Sequence, residues 1–110
     1  GHFRVAGRVN GQPVEFLIDT GASSVTVSEA FARAAGLEGG QSVTFQTANG
    51  PLPGRLLRNV PVQVAHLGLA GTTVAVGLVG DDSGQALLGQ GFLSRFDIQI
   101  LQGEMRLLPR

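Results

Sequence analysis

The chain has 110 residues, enough for one domain with a modest core and too few for a second lobe. Eight arginines balance eight acids at a formal net charge of +0, and no basic run of the kind that nucleic acid or anionic lipid requires is present, so neither is an expected partner. Without cysteine there is no disulfide, thiolate nucleophile or zinc–thiolate site, and no apolar run approaches the roughly 20 residues of a membrane-spanning helix.

In chain order the rhythm is one of short β segments punctuated by 17 glycines. Phe3, Val5 and Gly7 alternate with Arg4, Ala6 and Arg8, Asn10-Gly11 supplies a tight-hairpin dipeptide, and Val14 to Ile18 resumes as a more buried strand. Ser28 is a candidate N-cap for the best helix in the chain, Glu29 to Leu37, with Ala30, Phe31, Ala34 and Leu37 near helical spacing and Gly36 and Gly39 as stop signals. Val43 and Phe45 alternate with Thr44 and Gln46, and Asn49-Gly50, followed by Pro51 and Pro53, marks the turn of a projecting hairpin that returns through Arg55 to Arg58. Val60, Val62 and Val64 alternate, Gly68 to Gly71 is expected to turn the chain, and Val74, Val76 and Leu78 alternate again. Pro61 favours an edge or the start of a strand. Gly80-Asp81-Asp82-Ser83-Gly84 reads as a polar loop, Ala86 to Leu88 as a short buried strand, and Phe92 to Phe96 as a helical turn before strands near Ile98 and Leu107. The fold class is therefore all-β with one or two short helices, in a single domain over residues 1–110.

One acid stands apart from the others. Asp19 lies where the apolar Leu17-Ile18 breaks into Thr20-Gly21-Ala22-Ser23, and an acid among apolar residues must be hydrogen-bonded, shifted in pKa, or exposed in a cleft where it does chemistry. Asp81, Asp82 and Asp97 have neither the apolar strand before them nor Thr-Gly after them, and read as solvated turn acids.

The stretch Leu17 to Ser23 resembles the active-site signature of aspartic proteases. Gly1-His2-Phe3 and Val9-Asn10-Gly11 before it, Thr47-Ala48-Asn49-Gly50 after it, and Leu87-Leu88-Gly89-Gln90-Gly91-Phe92-Leu93 near the end resemble, in order, the bacterial branch of the single-lobe retropepsin-like aspartic proteases. The resemblance implies a closed β-barrel lobe that is active as a two-fold dimer. It also implies that Thr20 bonds across the dimer to the facing active-site loop. Thr47, Ala48, Asn49 and Gly50 would form the tip of a substrate-binding flap, and Leu87, Leu88 and Gly89 a supporting strand behind the catalytic loop. The sequence leaves localisation open: the chain as given reads as a soluble domain, and because relatives of this type often carry an N-terminal anchor, the resemblance is compatible with the periplasmic or membrane-anchored part of a longer bacterial protein that touches membrane only through that anchor.

Such chemistry needs one carboxylate to take a proton from water and a second, protonated, to assist the carbonyl oxygen. Two close carboxyls share a proton because both cannot ionise cheaply, a case for which aspartic proteases are the standard general example. This chain supplies one suitable acid, and a two-fold contact pairs a residue with itself, so Asp19 is expected to face Asp19 of a second copy. Gly21 allows a tight turn and a close backbone N–H. Ala22 lacks the hydroxyl with which a serine could donate to the carboxylate, which implies a less acidic working range. Gln90 stands where many retroviral relatives carry an arginine that supports the dimer.

His2 and His66 have no partner at ligand spacing, so no metal or cofactor is expected, and Ser23, Ser24 and Ser28 lack a nucleophile-elbow context. The expected activity is that of a homodimeric aspartic endopeptidase acting on an extended peptide or protein segment. Two alternatives belong to other classes: a catalytically weak or inactive dimerisation or peptide-binding module of the same fold, and a β-barrel ligand-binding protein in which Asp19 is structural.

Overall fold

The computed structural model describes residues 3–19, 24–65, 67–77, 85–89, 96–101 and 104–109. The strands are β1 (Arg4–Val9), β2 (Gln12–Ile18), β3 (Val25–Val27), β4 (Gln41–Thr47), β5 (Gly50–Val64), β6 (Leu67–Val76), β7 (Gln85–Leu88), β8 (Phe96–Leu101) and β9 (Glu104–Pro109). One helix, α1 (Glu29–Ala34), follows β3.

Six strands close into a barrel in the order β1-β2-β7-β3-β6-β5, with β5 returning to β1 through Gly7↔Val64 to Val9↔Val62. This is the mainly-β closed barrel expected from the sequence. The closure leaves the barrel strands without a free edge. Strand β4 continues the sheet beyond β5, and β8 and β9 form a separate antiparallel pair. Inside the barrel the alternation is that of a half-buried sheet. Val14, Phe16 and Ile18 point inward from β2, Val60, Val62 and Val64 from β5, and Val74 and Val76 from β6. Phe31 and Ala32 of α1 and Leu88 of β7 join the same cluster.

The first hairpin is as the sequence predicts. Asn10 and Gly11 both take positive φ, 52° and 83°, the pattern of a type I′ turn, and Val9 pairs with Gln12. The Asn10 side-chain amide donates to the Ala35 carbonyl at 2.8 Å, and its backbone N–H donates to Pro61 at 2.8 Å, so this turn is fastened to the end of α1 and to β5.

The helix begins as expected and ends sooner. Ser28 Oγ accepts the Phe31 N–H at 2.9 Å, the bond of an N-cap to the third helical residue. The end is set by Gly36 at φ 71°, where the Leu37 N–H donates to Ala32 and the Gly36 N–H to Arg33, the two bonds of a Schellman motif. Leu37 is thus buried just past the helix, and the buried face is Phe31, Ala32 and Ala35, whereas Ala34 is exposed and Ala30 only half-buried.

Two further expectations are corrected. The chain reverses at Ala65, φ 52°, and Gly68 to Gly71 lies within β6, paired through Val62↔Leu69 and Val64↔Leu67. Gly71, φ 82°, faces the irregular stretch of β5 around Asn59, φ 60°, so it accommodates a bulge and makes no turn. Pro61 sits inside the sheet, within the register shift between Val60 and Val62, where the irregularity removes the need for its missing N–H. Strands β8 and β9 occur where expected. Leu78, the 80–84 loop and residues 92–95 of the expected helical turn lie outside the described residues.

Candidate active site

Asp19 follows the last residue of β2 and is half-buried. Its backbone N–H donates to the Leu88 carbonyl at 3.1 Å, one step beyond the parallel ladder that pairs Glu15 to Ile18 with Gln85 to Leu88. The Ile18 N–H is held from the other side by the Phe3 carbonyl at 2.9 Å. The stem leading into Asp19 is therefore fixed by both neighbouring strands.

The outgoing stem is fixed by the same strand. β7 pairs parallel with β2 and antiparallel with β3, through Thr26↔Leu87 and Val27↔Ala86. A single four-residue strand thus joins β2, which leads into Asp19, to β3, the next described strand. Its side chains alternate: Ala86 and Leu88 are buried and Leu87 is half-buried, with Gly89 buried at the exit. The expected buried strand is thus one that buries alternate residues, because one face looks into the barrel. Thr20, Gly21, Ala22 and Ser23 lie outside the described residues, as do Gln90, His2, His66, Asp81 and Asp82.

The hairpin of β4 and β5 runs in unbroken register from Gln41↔Leu56 to Thr47↔Gly50. Its turn residues are Ala48 and Asn49, and Gly50 follows at φ 104°, so the turn falls one residue earlier than Asn49-Gly50 suggests. Thr47 holds the tip together: its hydroxyl donates to the Gly50 carbonyl at 2.7 Å and accepts the Asn49 N–H at 3.2 Å. Thr47, Ala48 and Asn49 are exposed and Gly50 is half-buried.

The base of this hairpin is anchored by residues that sequence reasoning did not single out. Strand β5 joins β6 from Arg55↔Val76 onward, so residues 44–53 extend past the barrel. At that junction the Arg55 guanidinium pairs with Glu29 at the start of α1 and its Nη1 donates to the carbonyls of Leu37 at 3.1 Å and Gly39 at 2.9 Å. The pair raises the already high pKa of Arg55 through the hydrogen bonds it donates to Glu29, and the same bonds lower that of Glu29. Adjacent Gly54 is required by space: a methyl group there would meet the Phe45 ring and the Val76 carbonyl oxygen. The only local signal for the anchor was an acid in the first turn of a helix, which suits the helix dipole without naming a partner.

A family model described as "gag-polyprotein putative aspartyl protease" matches residues 5–95. A solved structure, a retropepsin-like aspartic protease from Rickettsia conorii, matches with a TM-score of 0.77 and 29% identity, over 97% of this chain and 82% of that one. The uncharacterised protein in the cobV 5′ region of Sinorhizobium sp is 31% identical over 114 residues, covering 97% of this chain and 47% of that protein. The chain spans about half the length of that curated relative. This chain belongs to the retropepsin-like aspartic protease family.

Proposed function

We propose that two copies of this chain form an aspartic endopeptidase in which Asp19 of each subunit contributes one carboxyl to a shared catalytic pair. The observation that carries the reading is the fastening of Asp19, half-buried at the end of β2 with its N–H on Leu88 and with both β2 and β3 paired to β7, in a member of this family. A rigid stem of this kind is what a proton-sharing pair needs, since catalytic carboxyls act only when held in register. One carboxylate takes a proton from water, the water oxygen attacks the peptide carbonyl, and the protonated partner donates to the carbonyl oxygen. Thr20 and Gly21 support the loop. The tip formed by Thr47 to Gly50 covers the bound peptide and pairs with it as an added strand, excluding water as it closes.

The test is incubation of the purified protein with a peptide library from acidic to neutral pH, beside Asp19→Asn and with a transition-state mimic of peptide hydrolysis. Cleavage is expected in the parent, inhibition by the mimic, and none in the variant. Cleavage that survives Asp19→Asn overturns the reading. Activity should also fall faster than linearly on dilution, and a strictly monomeric active form contradicts the shared site.

A further inference from the structure

The chain contains three asparagines, and two of them, Asn10 and Asn49, precede glycine in a hairpin turn. Glycine carries no side chain to shield its backbone nitrogen, so an Asn-Gly bond is where an asparagine side chain is most open to attack by the next residue's nitrogen. The third, Asn59, precedes the β-branched Val60, which crowds that approach.

The two Asn-Gly turns are held very differently. At the first, the Asn10 side-chain nitrogen is fixed on the Ala35 carbonyl at 2.8 Å, its backbone N–H on Pro61 at 2.8 Å, and the Gly11 carbonyl by Arg8 Nη1 at 3.0 Å. These contacts reach the end of α1 and a barrel strand, so moving Asn10 means disturbing the fold. At the second, the Asn49 side-chain amide makes no hydrogen bond among the described residues, and beyond the terminal ladder pair Thr47↔Gly50 the turn is fastened only by the exposed Thr47 hydroxyl. Opening there breaks local bonds at an exposed tip, the cheapest kind of local unfolding.

We infer that Asn49 is a site of spontaneous, age-dependent covalent modification in the folded protein, and that Asn10 is protected. The backbone nitrogen of Gly50 attacks Asn49 Cγ, the new C–N bond closes a five-membered imide, and the Cγ–Nδ2 bond breaks with release of ammonia. Solvent water then adds to one imide carbonyl and the bond from that carbon to the Gly50 nitrogen breaks, the nitrogen regaining a proton: attack at Cγ leaves an aspartate at position 49, and attack at the backbone carbonyl an isoaspartate. Attack requires loss of the glycine N–H proton, so the reaction accelerates as pH rises. Either product places a carboxylate at the tip, and the isoaspartate also inserts a methylene into the backbone. If the tip covers the substrate as proposed above, ageing at Asn49 lowers cleavage without any change in the barrel.

The experiment is timed incubation of the folded protein at mildly alkaline pH, followed by digestion after arginine, which places the three asparagines on separate peptides. Peptide mass and isoaspartate detection should show conversion at Asn49 and none at Asn10 or Asn59 over the same period. In denaturant, Asn10 and Asn49 should convert at similar rates, because only the fold separates them. Thr47→Val, which removes the side-chain fastening of the tip and leaves the ladder pair, should accelerate conversion at Asn49 roughly fivefold, the factor given by one net hydrogen bond of ordinary strength, and Thr47→Ser should restore the parent rate. Equal conversion of Asn10 and Asn49 in the folded protein, or a rate indifferent to Thr47→Val, overturns the inference. Activity is read separately with Asn49→Asp: an unchanged kcat/KM beside full chemical conversion would count against the tip's role over the substrate and leave the modification standing.

Discussion

The guanidinium of Arg55 meets both carboxylate oxygens of Glu29, Nη2 to Oε2 at 2.9 Å and Nε to Oε1 at 3.2 Å, and so ties the base of the long hairpin to the first turn of the helix. The Glu29 side chain is 53% exposed and that of Arg55 23%, so solvent screens the pair and its own worth is under about 1 kcal/mol. The bonds from Nη1 to Leu37 and Gly39 add to it. Arg55→Ala should therefore lower stability by about 1–2 kcal/mol in urea titrations, more than Glu29→Gln does. Arg55→Lys should behave nearly as Arg55→Ala, because one ammonium cannot span a carboxylate and two carbonyls.

The same pair sets a pH dependence with a definite sign. Glu29 has a lowered pKa because Arg55 donates to its charged form. Its contribution is complete above the carboxylate's unfolded pKa and is lost as pH falls through the folded value. Arg55, with its pKa raised, stays charged throughout that range. The stability gap between the parent and Glu29→Gln should shrink towards zero as the solution is acidified, read as converging melting temperatures. A gap that widened on acidification would contradict the assignment.

Asn10 has two separable jobs, a left-handed backbone at φ 52° and an amide on Ala35. Asn10→Gly keeps the first and loses the second, at about 1 kcal/mol. Asn10→Ala loses both, with a further cost of about 1–2 kcal/mol for the positive φ. Chemical denaturation of the two variants side by side should rank them in that order.

Gly54→Ala forces a methyl group against the Phe45 ring and the Val76 carbonyl, with an expected loss of about 1–3 kcal/mol. Adding Phe45→Ala should relieve only the ring's share of the clash. Hydrogen exchange should report the damage first in residues 41–54, before the strands that close the barrel.

Ala22→Ser would supply a hydroxyl able to donate to the ionised carboxylate of Asp19 and favour its charged form. The acidic limb of the activity profile should then move to lower pH. An unmoved or alkaline-shifted limb, measured beside the parent, would refute the role given to Ala22.

Local patterns made much of this fold legible. Asn10-Gly11 announced its own turn, Ser28 its own helix, and the alternating valines of β5 and β6 their inward face. The failures have a common cause in partners distant along the chain. Gly68 to Gly71 looked like a turn because glycine is as useful opposite a bulge as at a reversal, and only the pairing of β5 with β6 distinguishes the two. Leu37 extended the helix's apolar spacing, yet its place in the core comes from the Schellman turn at Gly36. At the site, Asp19 stood out because of its apolar neighbours, and Leu87 to Gly89 through resemblance. Arg55 carried no such mark, since its meaning depends on Glu29, Leu37 and Gly39 arriving beside it.

The parallel pairing of Ile18 with Leu88 has a temporal consequence. Asp19 is made well before β7, the strand that holds its backbone and pairs with both β2 and β3. A nascent fragment ending before Gln85 can form the first hairpin and the helix, because both rely on near neighbours, but it lacks the clasp on Asp19. Such distant parallel pairings are slow to form, since the entropy of closing the intervening chain must be overcome before any contact rewards it. The backbone of Asp19 is therefore fixed only once β7 has been made, and a fragment ending before Gln85 lacks the hold that the proposed pair of carboxyls requires.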